Sequence, residues 1–332
     1  MKIVSIIIVN WNGRELLVDC IDSVLRQTYA NYEIILVDNG SCDDSVSFVN
    51  HTYPSVKTVS LADNAGFTGG NIAGYRFSSG DYIVLLNNDA RLTDQWLEHM
   101  VSAVESDPAV GFCSSKIIID GTTLIDSAGD EFTSAFTGTK IGEYEDESFH
   151  TQARQVPGAC AAAVVYKREM LEDVGFLDPD FFLNHEDTDL NMRAWLAGWK
   201  CLFVPQAVVY HKVSASIVPM SDTAVYYFSR NNEWVWLKNV PLGLMLKSFP
   251  QRLIYEVSSF GFFCILAGRW RPYLRGKRDA LAGIPAMLRK RSEVQRLRKL
   301  STHEISAGLL PLSLYLKRRL QLAFSERPKA RA

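Results

Sequence analysis

The chain predicts an α/β fold with a mostly parallel sheet flanked by helices, followed by a basic helical extension. Three observations carry this expectation. Short Val/Ile/Leu-rich runs between Ile3 and Ser115 alternate with segments of helical period, and the runs lack polar alternation, which marks strands buried on both faces. Asn10, Asp38 and Asp89 fall at the ends of such runs, where open α/β sheets bind ligands. Charge also changes sign along the chain: residues 1–240 hold 16 Lys+Arg and 32 Asp+Glu, net −16, whereas residues 241–332 hold 19 and 5, net +14. The two parts are therefore expected to meet different surroundings. A length of 332 residues with 47% hydrophobic content suits one large domain, or one domain plus an appendage. The expected division is a domain of residues 1–240 and a basic amphipathic helical extension of residues 241–332, meeting at Val240-Pro241.

In chain order, strands are expected at residues 4–10, 33–38, 56–62, 81–87 and 110–116. A helix follows the first, with Leu17, Ile21, Val24 and Leu25 at helical spacing. Residues 120–155, rich in Gly, Thr, Ser and acids, read as a hairpin or a mobile surface loop. Beyond them come a strand-like AAAVVYK, a helix around residues 168–174, a carboxylate-rich segment and the apolar strand CLFVPQAVVYH. The six cysteines are scattered, without C-x-x-C or zinc-type spacing, and are expected to be free thiols in a reducing compartment. The apolar run in MKIVSIIIVNWNG is too short for a signal peptide, so no export is expected.

The chemistry lies at the strand ends. VDNGS (residues 37–41) closes a buried run with Asp38, which either accepts from a ligand N–H or ribose hydroxyls or serves an ordinary turn. Trp11, just past the first run, offers a ring to stack on a base. DNAGFTGGNIAGYR (residues 63–76) sets glycines around Asn64 and Asn71 before a helix, permitting close backbone approach to an anion. It matches neither a P-loop nor G-x-G-x-x-G, and a ligand-free βα connection explains it as well. YIVLLNNDA (residues 82–90) places Asp89 beside Asn87 and Asn88, an all-oxygen set suited to Mg²⁺ or Mn²⁺, which complete their shell with diphosphate oxygens. A plain Asn-Asp turn competes with this reading. His211 ends LFVPQAVVYH and is read as a ligand only if it faces Asp89. FFLNHEDTDLNMRAWLAGW (residues 181–199) plants Glu186, Asp187 and Asp189 among aromatics, where carboxylates are costly unless paired, metal-bound or used as a base.

The ordered set IIIVNWN, VDNGS, DNAGFTGGNIAG, LLNNDA, VPGAC, FFLNHEDTDLNMRAWLAGW and VVYHKVSAS resembles the inverting family 2 glycosyltransferases of GT-A fold. The similarity is greatest to the branch containing rhamnosyl- and galactofuranosyltransferases of bacterial surface polysaccharides, over about residues 3–240. The resemblance implies a nucleoside pocket at Val9, Asn10, Trp11 and Asp38, a second nucleotide-contacting loop at Asn64, Phe67 and Asn71, and Asn88 on the nucleotide-sugar side. Asp89 matches the last acid of the family's metal motif; the usual D-x-D is here Asn87-Asn88-Asp89, so one carboxylate remains, with His211 as a further metal-side ligand. Asp187 matches the general base, with Glu186 its neighbour, and Gly158 and Ala159 match the turn lining the acceptor side. The implied reaction moves a sugar from a nucleotide-diphosphate donor to a glycan or polyprenyl-linked acceptor, with Mg²⁺ or Mn²⁺, in cell-surface polysaccharide synthesis. A nucleotide- or RNA-binding protein with a phosphate-gripping tail is the alternative of another class, but it has no use for Asp187 opposite a metal acid. An inactive scaffold is a third reading.

In the extension, residues 253–267 fall short of the ~20 apolar residues that a spanning helix needs and read as interfacial or core-packed. RWRPYLRGKRDALAGIPAMLRKR mixes aromatics and aliphatics, including Leu281, Ile284 and Leu288, with many cations. That composition suits a helix lying on an anionic leaflet, a solvated basic face being the alternative. The expected location is cytoplasmic, peripheral on the inner face of the plasma membrane, with no nucleic-acid partner.

Overall fold

The computed structural model describes residues 2–213 and 220–324. The first half is a βα alternation: β1 (Val4–Asn10), α1 (Arg14–Leu25), β2 (Tyr32–Asp38), α2 (Ser45–Thr52), β3 (Lys57–Ser60), α3 (Gly66–Phe77) and β4 (Tyr82–Asn87). In β1, β2 and β4 successive residues are buried on opposite faces. Ile6, Ile8, Leu36, Val84 and Leu86 enter one core, whereas Ile7, Ile35, Val37, Ile83 and Leu85 enter the other. This double burial is the physical cause of the unbroken apolar runs in the sequence. The third expected strand shrinks to β3 because it lies at the sheet edge, where only one side is paired.

Next come β5 (Ala90–Leu92), α4 (Trp96–Glu105) and β6 (Val110–Ile119), the last running beyond its expected end. Of the two expectations for region 120–155, the hairpin holds and the loose surface loop does not: it is a set of short strands, β7 (Ile125–Ser127), β8 (Asp130–Phe132), β9 (Gly138–Lys140) and the start of β10 (Arg154–Val156), with β8 and β9 paired antiparallel. Phe132, Ala135 and Phe136 are buried in it. Composition alone hid this, since its polar residues are consumed by internal hydrogen bonds such as Ser127 Oγ to Gly129 O at 3.0 Å. Then follow β11 (Ala163–Lys167), α5 (Arg168–Val174), α6 (Glu186–Leu196) and β12 (Lys200–His211).

The main sheet has the order β10-β12-β6-β11-β4-β1-β2-β3, with β5 on β12 and β7 on β6. Strands β1 to β4, β6 and β12 run one way; β5, β7, β10 and β11 run the other. The expected mostly parallel α/β sheet is thus present, with antiparallel β11 inserted at its centre.

The C-terminal part is helical: α7 (Asp222–Asn239), α8 (Leu242–Phe260), a π-helical turn (Gly261–Leu266), α9 (Trp270–Ala282), α10 (Ile284–Leu297), α11 (Thr302–Ala307) and α12 (Leu312–Phe324). One side of these helices is core. Leu244, Ala280, Met287, Val294 and Ile305 pack with Phe132, Phe136, Phe181, Trp195 and Trp234. The charge asymmetry has a matching outcome: much of the basic excess meets the acidic body itself rather than separate surroundings. Lys290 pairs with Asp178 and Asp180, Arg252 and Lys277 with Glu233, Arg318 with Glu131 and Arg319 with Glu143. Opposite charges on two halves of one chain are satisfied most cheaply by bringing the halves together.

Candidate functional site

The register of the central strands gathers the sequence-identified residues at the carboxyl edge of the sheet. Asn10 at the end of β1 lies opposite Asp38 at the end of β2, and Val9 lies opposite Asn87 at the end of β4. Asn10 is buried, donates to Ser45 Oγ at 3.0 Å and accepts from Asn88 Nδ2 at 2.8 Å, so its amide fixes three segments together. Trp11 stands exposed beside it. Asp38 is buried, and its Oδ1 has no hydrogen-bond partner among the described residues. A buried carboxylate oxygen without a donor is costly and fits a site meant to receive a ligand hydroxyl or N–H.

The loop into α3 is shaped by Asn39, a residue that sequence reasoning missed. Its Nδ2 donates to Asn64 Oδ1 at 3.0 Å and to Gly66 O at 3.1 Å, and its Oδ1 accepts from Ala65 N at 2.9 Å. Asn64 is thereby held inward, Asn71 donates to Phe67 O at 2.9 Å within α3, and Phe67 packs against the core. Gly66 has φ +74°, and a Cβ there would stand 2.3 Å from Phe182 O, so the segment leading into α6 rests directly on this loop.

Past β4, Asp89 faces His211, as the metal reading required. Their Oδ1 and Nε2 lie 3.1 Å apart, and both residues are buried. Behind the imidazole, Nδ1 is 3.3 Å from Asp126 Oδ2, and Lys140 Nζ lies 2.5 Å from Asp126 Oδ1. Burial acts to lower the His211 pKa, but hydrogen bonds to Asp126 and Asp89 outweigh it and push the ring up to about 9. Asp126 and Lys140 come from the segment expected as a hairpin or a mobile surface loop, where sequence reasoning singled out neither.

The donor set is two side chains, a carboxylate and an imidazole whose rear nitrogen is oriented by a second carboxylate. No group of three His, Cys, Asp or Glu side chains among the described residues is placed to hold a metal. The pair fits a hard divalent cation that takes its other ligands from diphosphate and water, and the Asp126–His211 contact is the usual outer support for a metal-ligating imidazole.

The acid-rich helix α6 opens at His185, in the left-handed region at φ 68°, after Asn184 at φ 63° and Phe182 at φ 62°. Asn231 of α7 holds this segment by donating to the carbonyls of Phe181, Leu183 and Asn184 at 2.9, 2.8 and 2.7 Å. The two carboxylates at the helix start differ in surroundings. Burial raises the pKa of both. Asp187 is partly exposed and accepts from Ala161 N at 3.3 Å and Thr188 N at 2.6 Å, which favours its ionised form. Glu186 is buried, feels the charge of Asp187, and its Oε2 has no partner among the described residues, which favours its neutral form. Divergent environments of this kind separate a base from an acid. Nearby, Asp130 is raised to about 8 by burial and by Asp187.

Two backbone steps join the end of β4 to Asp187. Ala161 N–H reaches Asp187, while the next carbonyl, Ala162 O, accepts from Asn87 N at 2.9 Å. Gly158 pairs through its own N–H and C=O with Asp130, and Ala159 O accepts from Asn191 Nδ2 at 2.8 Å, so this turn lies alongside the same helix. A Cβ on Gly158 would meet Asn191 Nδ2 at 2.8 Å. The last residues of VVYHKVSAS, 214–216, lie outside the described residues.

Asp189, two residues beyond Asp187, is fully buried and points away into a charge network. It accepts from Arg193 Nε at 2.9 Å, Lys238 Nζ at 2.9 Å and Asn239 Nδ2 at 2.9 Å. Burial works to raise its pKa, yet Lys238 and Arg193 hold it well below the usual carboxylate range. Lys238 also bonds Asp178 at 2.7 Å.

Comparison with known proteins places these features in context. The sequence model described as "Glycosyl transferase family 2" matches residues 5–175. An uncharacterized protein, y4gI of Sinorhizobium fredii, is 31% identical over 64% of this chain and 25% of its own length. The O-antigen biosynthesis protein RfbC of Myxococcus xanthus is 26% identical over 72% of this chain and 20% of its own length. The chain therefore spans a quarter or less of these two relatives. The crystal structure of GalNAc-T7 with UDP, GalNAc and Mn²⁺ superposes with a TM-score of 0.57 at 16% identity, covering 78% of this chain and 58% of that one. The likeness is one of fold, and the fold is GT-A.

Proposed function

Since this chain belongs to glycosyl transferase family 2, we propose that it is an inverting glycosyltransferase taking its sugar from a nucleotide diphosphate. The observation that supports this reading is the two-residue bridge at Ala161-Ala162, which links Asp187 by one hydrogen bond on each side to Asn87, the strand end that leads into Asp89. Residues 1–240 would form the catalytic domain and residues 241–332 its basic extension. Asn10, Asp38 and the Asn39-braced loop at Asn64 are the nucleotide-binding edge, with Trp11 free to stack on the base and Val9, Phe67, Asn71 and Asn88 shaping the pocket. Asp89 and His211 would hold Mg²⁺ or Mn²⁺, whose chemistry there is to neutralise the charge of the departing diphosphate.

Asp187 acts as general base, taking the proton of the acceptor hydroxyl as that oxygen attacks the anomeric carbon from the side opposite the diphosphate. The Ala161 and Thr188 N–H groups hold its carboxylate in place. Glu186, kept neutral, leaves the base without a second full negative charge beside it. A single displacement inverts the anomeric centre. The acceptor is proposed to be a glycan or polyprenyl-linked glycan of bacterial surface polysaccharide, met along the Gly158-Ala159 turn by an enzyme peripheral to the inner face of the plasma membrane. No helix among the described residues is long and apolar enough to cross a membrane.

A screen of UDP-, dTDP- and GDP-sugars for binding and turnover, with and without Mn²⁺, tests the reading. Binding of one donor that tightens with Mn²⁺ and is followed by transfer supports it. Nucleotide binding without any turnover would favour the binding-protein alternative.

A further inference from the structure

Helix α8 packs inward through Leu244, Ser248, Arg252 and Tyr255, spaced at helical period on one side. Its opposite side is apolar and faces solvent. Leu242, Leu246, Phe249, Leu253, Val257 and Phe260 follow at intervals of three and four residues, and the residues between them on that face are Gly243, Pro250 and Ile254. No charged side chain interrupts this stripe over the whole helix, which is about 28 Å long at ~1.5 Å per residue. The π-helical turn prolongs it with Ile265 and Leu266, which are 73% and 80% exposed. The large apolar side chains of the stripe are 46–80% exposed, which at about 170 Å² for a fully exposed one makes a continuous apolar surface on the order of 900 Å², more than monomeric soluble proteins leave to water.

The cations beside the stripe indicate its occupant. Lys247 borders it on α8. On α9, which packs on the π-helical turn through Phe263 and Tyr273 with ring centroids 5.4 Å apart, exposed Trp270 and Leu274 each precede an exposed arginine, Arg271 and Arg275. Many basic residues of this region pair with the acidic body, and Arg275 lies over the Tyr226 ring of α7 at 5.1 Å, but Lys247 and Arg271 form no salt bridge among the described residues. An apolar stripe rimmed by Trp and free cations is the pattern of a helix sunk in the headgroup boundary of an anionic bilayer.

We propose that the outer face of α8 and the following π-helical turn is a monotopic docking surface for an anionic lipid bilayer, inserted by its apolar stripe and guided by Lys247 and Arg271. The inference deepens the proposed peripheral location and rests on it, but it does not require the acceptor to be lipid-linked. It also changes the expected character of binding. Since the stripe is large and few cations border it, apolar insertion supplies the larger share and attachment is largely resistant to salt.

The test is co-sedimentation of the full chain with vesicles of phosphatidylglycerol and phosphatidylcholine in equal parts, and with phosphatidylcholine alone, at low and high salt. The wild type is expected to pellet with the anionic vesicles and to stay bound in large part at high salt. The triple substitution Leu246→Glu, Leu253→Glu, Val257→Glu alters only exposed positions and should lower partitioning by roughly 100-fold or more while the thermal melt is unchanged. Leu266→Glu, alone on the turn, gives a second, smaller loss if the triple variant fails to fold. Asp187→Asn should sediment like wild type, so loss of the catalytic reading and loss of the docking surface are separable. Equal sedimentation of wild type and a folded triple variant overturns the proposal. So does a wild-type dimer that the triple variant abolishes while neither binds vesicles.

Discussion

Lys238→Met removes the cation that ties the catalytic helix to α7 without emptying much volume. The lysine Nζ sits 2.7 Å from Asp178 Oδ2 and 2.9 Å from Asp189 Oδ2, with all three side chains buried. At an effective dielectric of about 20, each contact is a gross attraction of about 6 kcal/mol. Part of that offsets the desolvation of the ammonium, which methionine does not suffer. Arg193 and Lys290 still face the two carboxylates, so the net loss should be about 3–5 kcal/mol, the range for removing one partner from a buried pair. For a chain of this length that corresponds to a fall of roughly 4–7 °C in melting temperature. Turnover should drop further than binding. Asp189 anchors the same helix turn that carries Asp187, and a shift of about 1 Å in a reacting group costs roughly 10²-fold in rate. Donor affinity, which we propose to be set by Asn10 and Asp38 at the ends of β1 and β2, should stay near wild type. The pH dependence has a definite sign. Asp189 has a depressed folded pKa, so its stabilisation is present above the unfolded value of about 3.9 and is lost as pH falls below it. Lys238→Met should therefore flatten the acid limb of the stability curve. Thermal melts from neutral pH to about pH 3, with initial rates and donor titrations, measure all of this. A variant that melts within about 1 °C of wild type and turns over normally would refute the claim that this network positions the base.

Asp187→Asn should leave donor binding nearly intact and lower turnover by at least ~10²-fold, whereas Glu186→Gln, replacing a neutral acid, should retain most activity; steady-state rates of both variants decide which carboxylate is the base. Asp89→Ala should abolish transfer and weaken donor binding far more with Mn²⁺ present than without it, and calorimetric titration in both conditions reads the difference. Asp126→Asn, which loosens the support of His211 Nδ1 at 3.3 Å, should weaken Mn²⁺ affinity about 10–100-fold while Mn²⁺-free nucleotide binding is unchanged. Gly66→Ala combines a positive φ with a Cβ 2.3 Å from Phe182 O, so denaturant unfolding should show a loss of about 2–4 kcal/mol, and no loss would mean that the loop and the α6 entry are not in register as described.

The sequence by itself determined the parts that depend on local periodicity. Ile6, Ile7 and Ile8 are consecutive apolar residues because both faces of β1 are buried, and that pattern needs no knowledge of the partners. The strand-end positions of Asn10, Asp38 and Asp89 were legible for the same reason, since the end of an apolar run marks where the chain leaves the sheet. The carboxylates at the start of α6 stood out because acids among aromatics demand an explanation. Tertiary structure alone decided which distant groups meet. Asp126 stands behind His211 only because β7 pairs with its neighbour β6 and β6 pairs with the distant β12, which brings together residues 85 positions apart. Lys238 reaches Asp189 across 49 positions, and nothing in either neighbourhood announces the other. The +14 of the extension was a sum over residues, blind to direction. Folding turned Lys290, Lys277 and Arg252 inward onto carboxylates and left the stripe from Leu242 to Leu266 outward, because opposite charges can be matched within the chain whereas a second apolar face on α8 has no remaining core to enter.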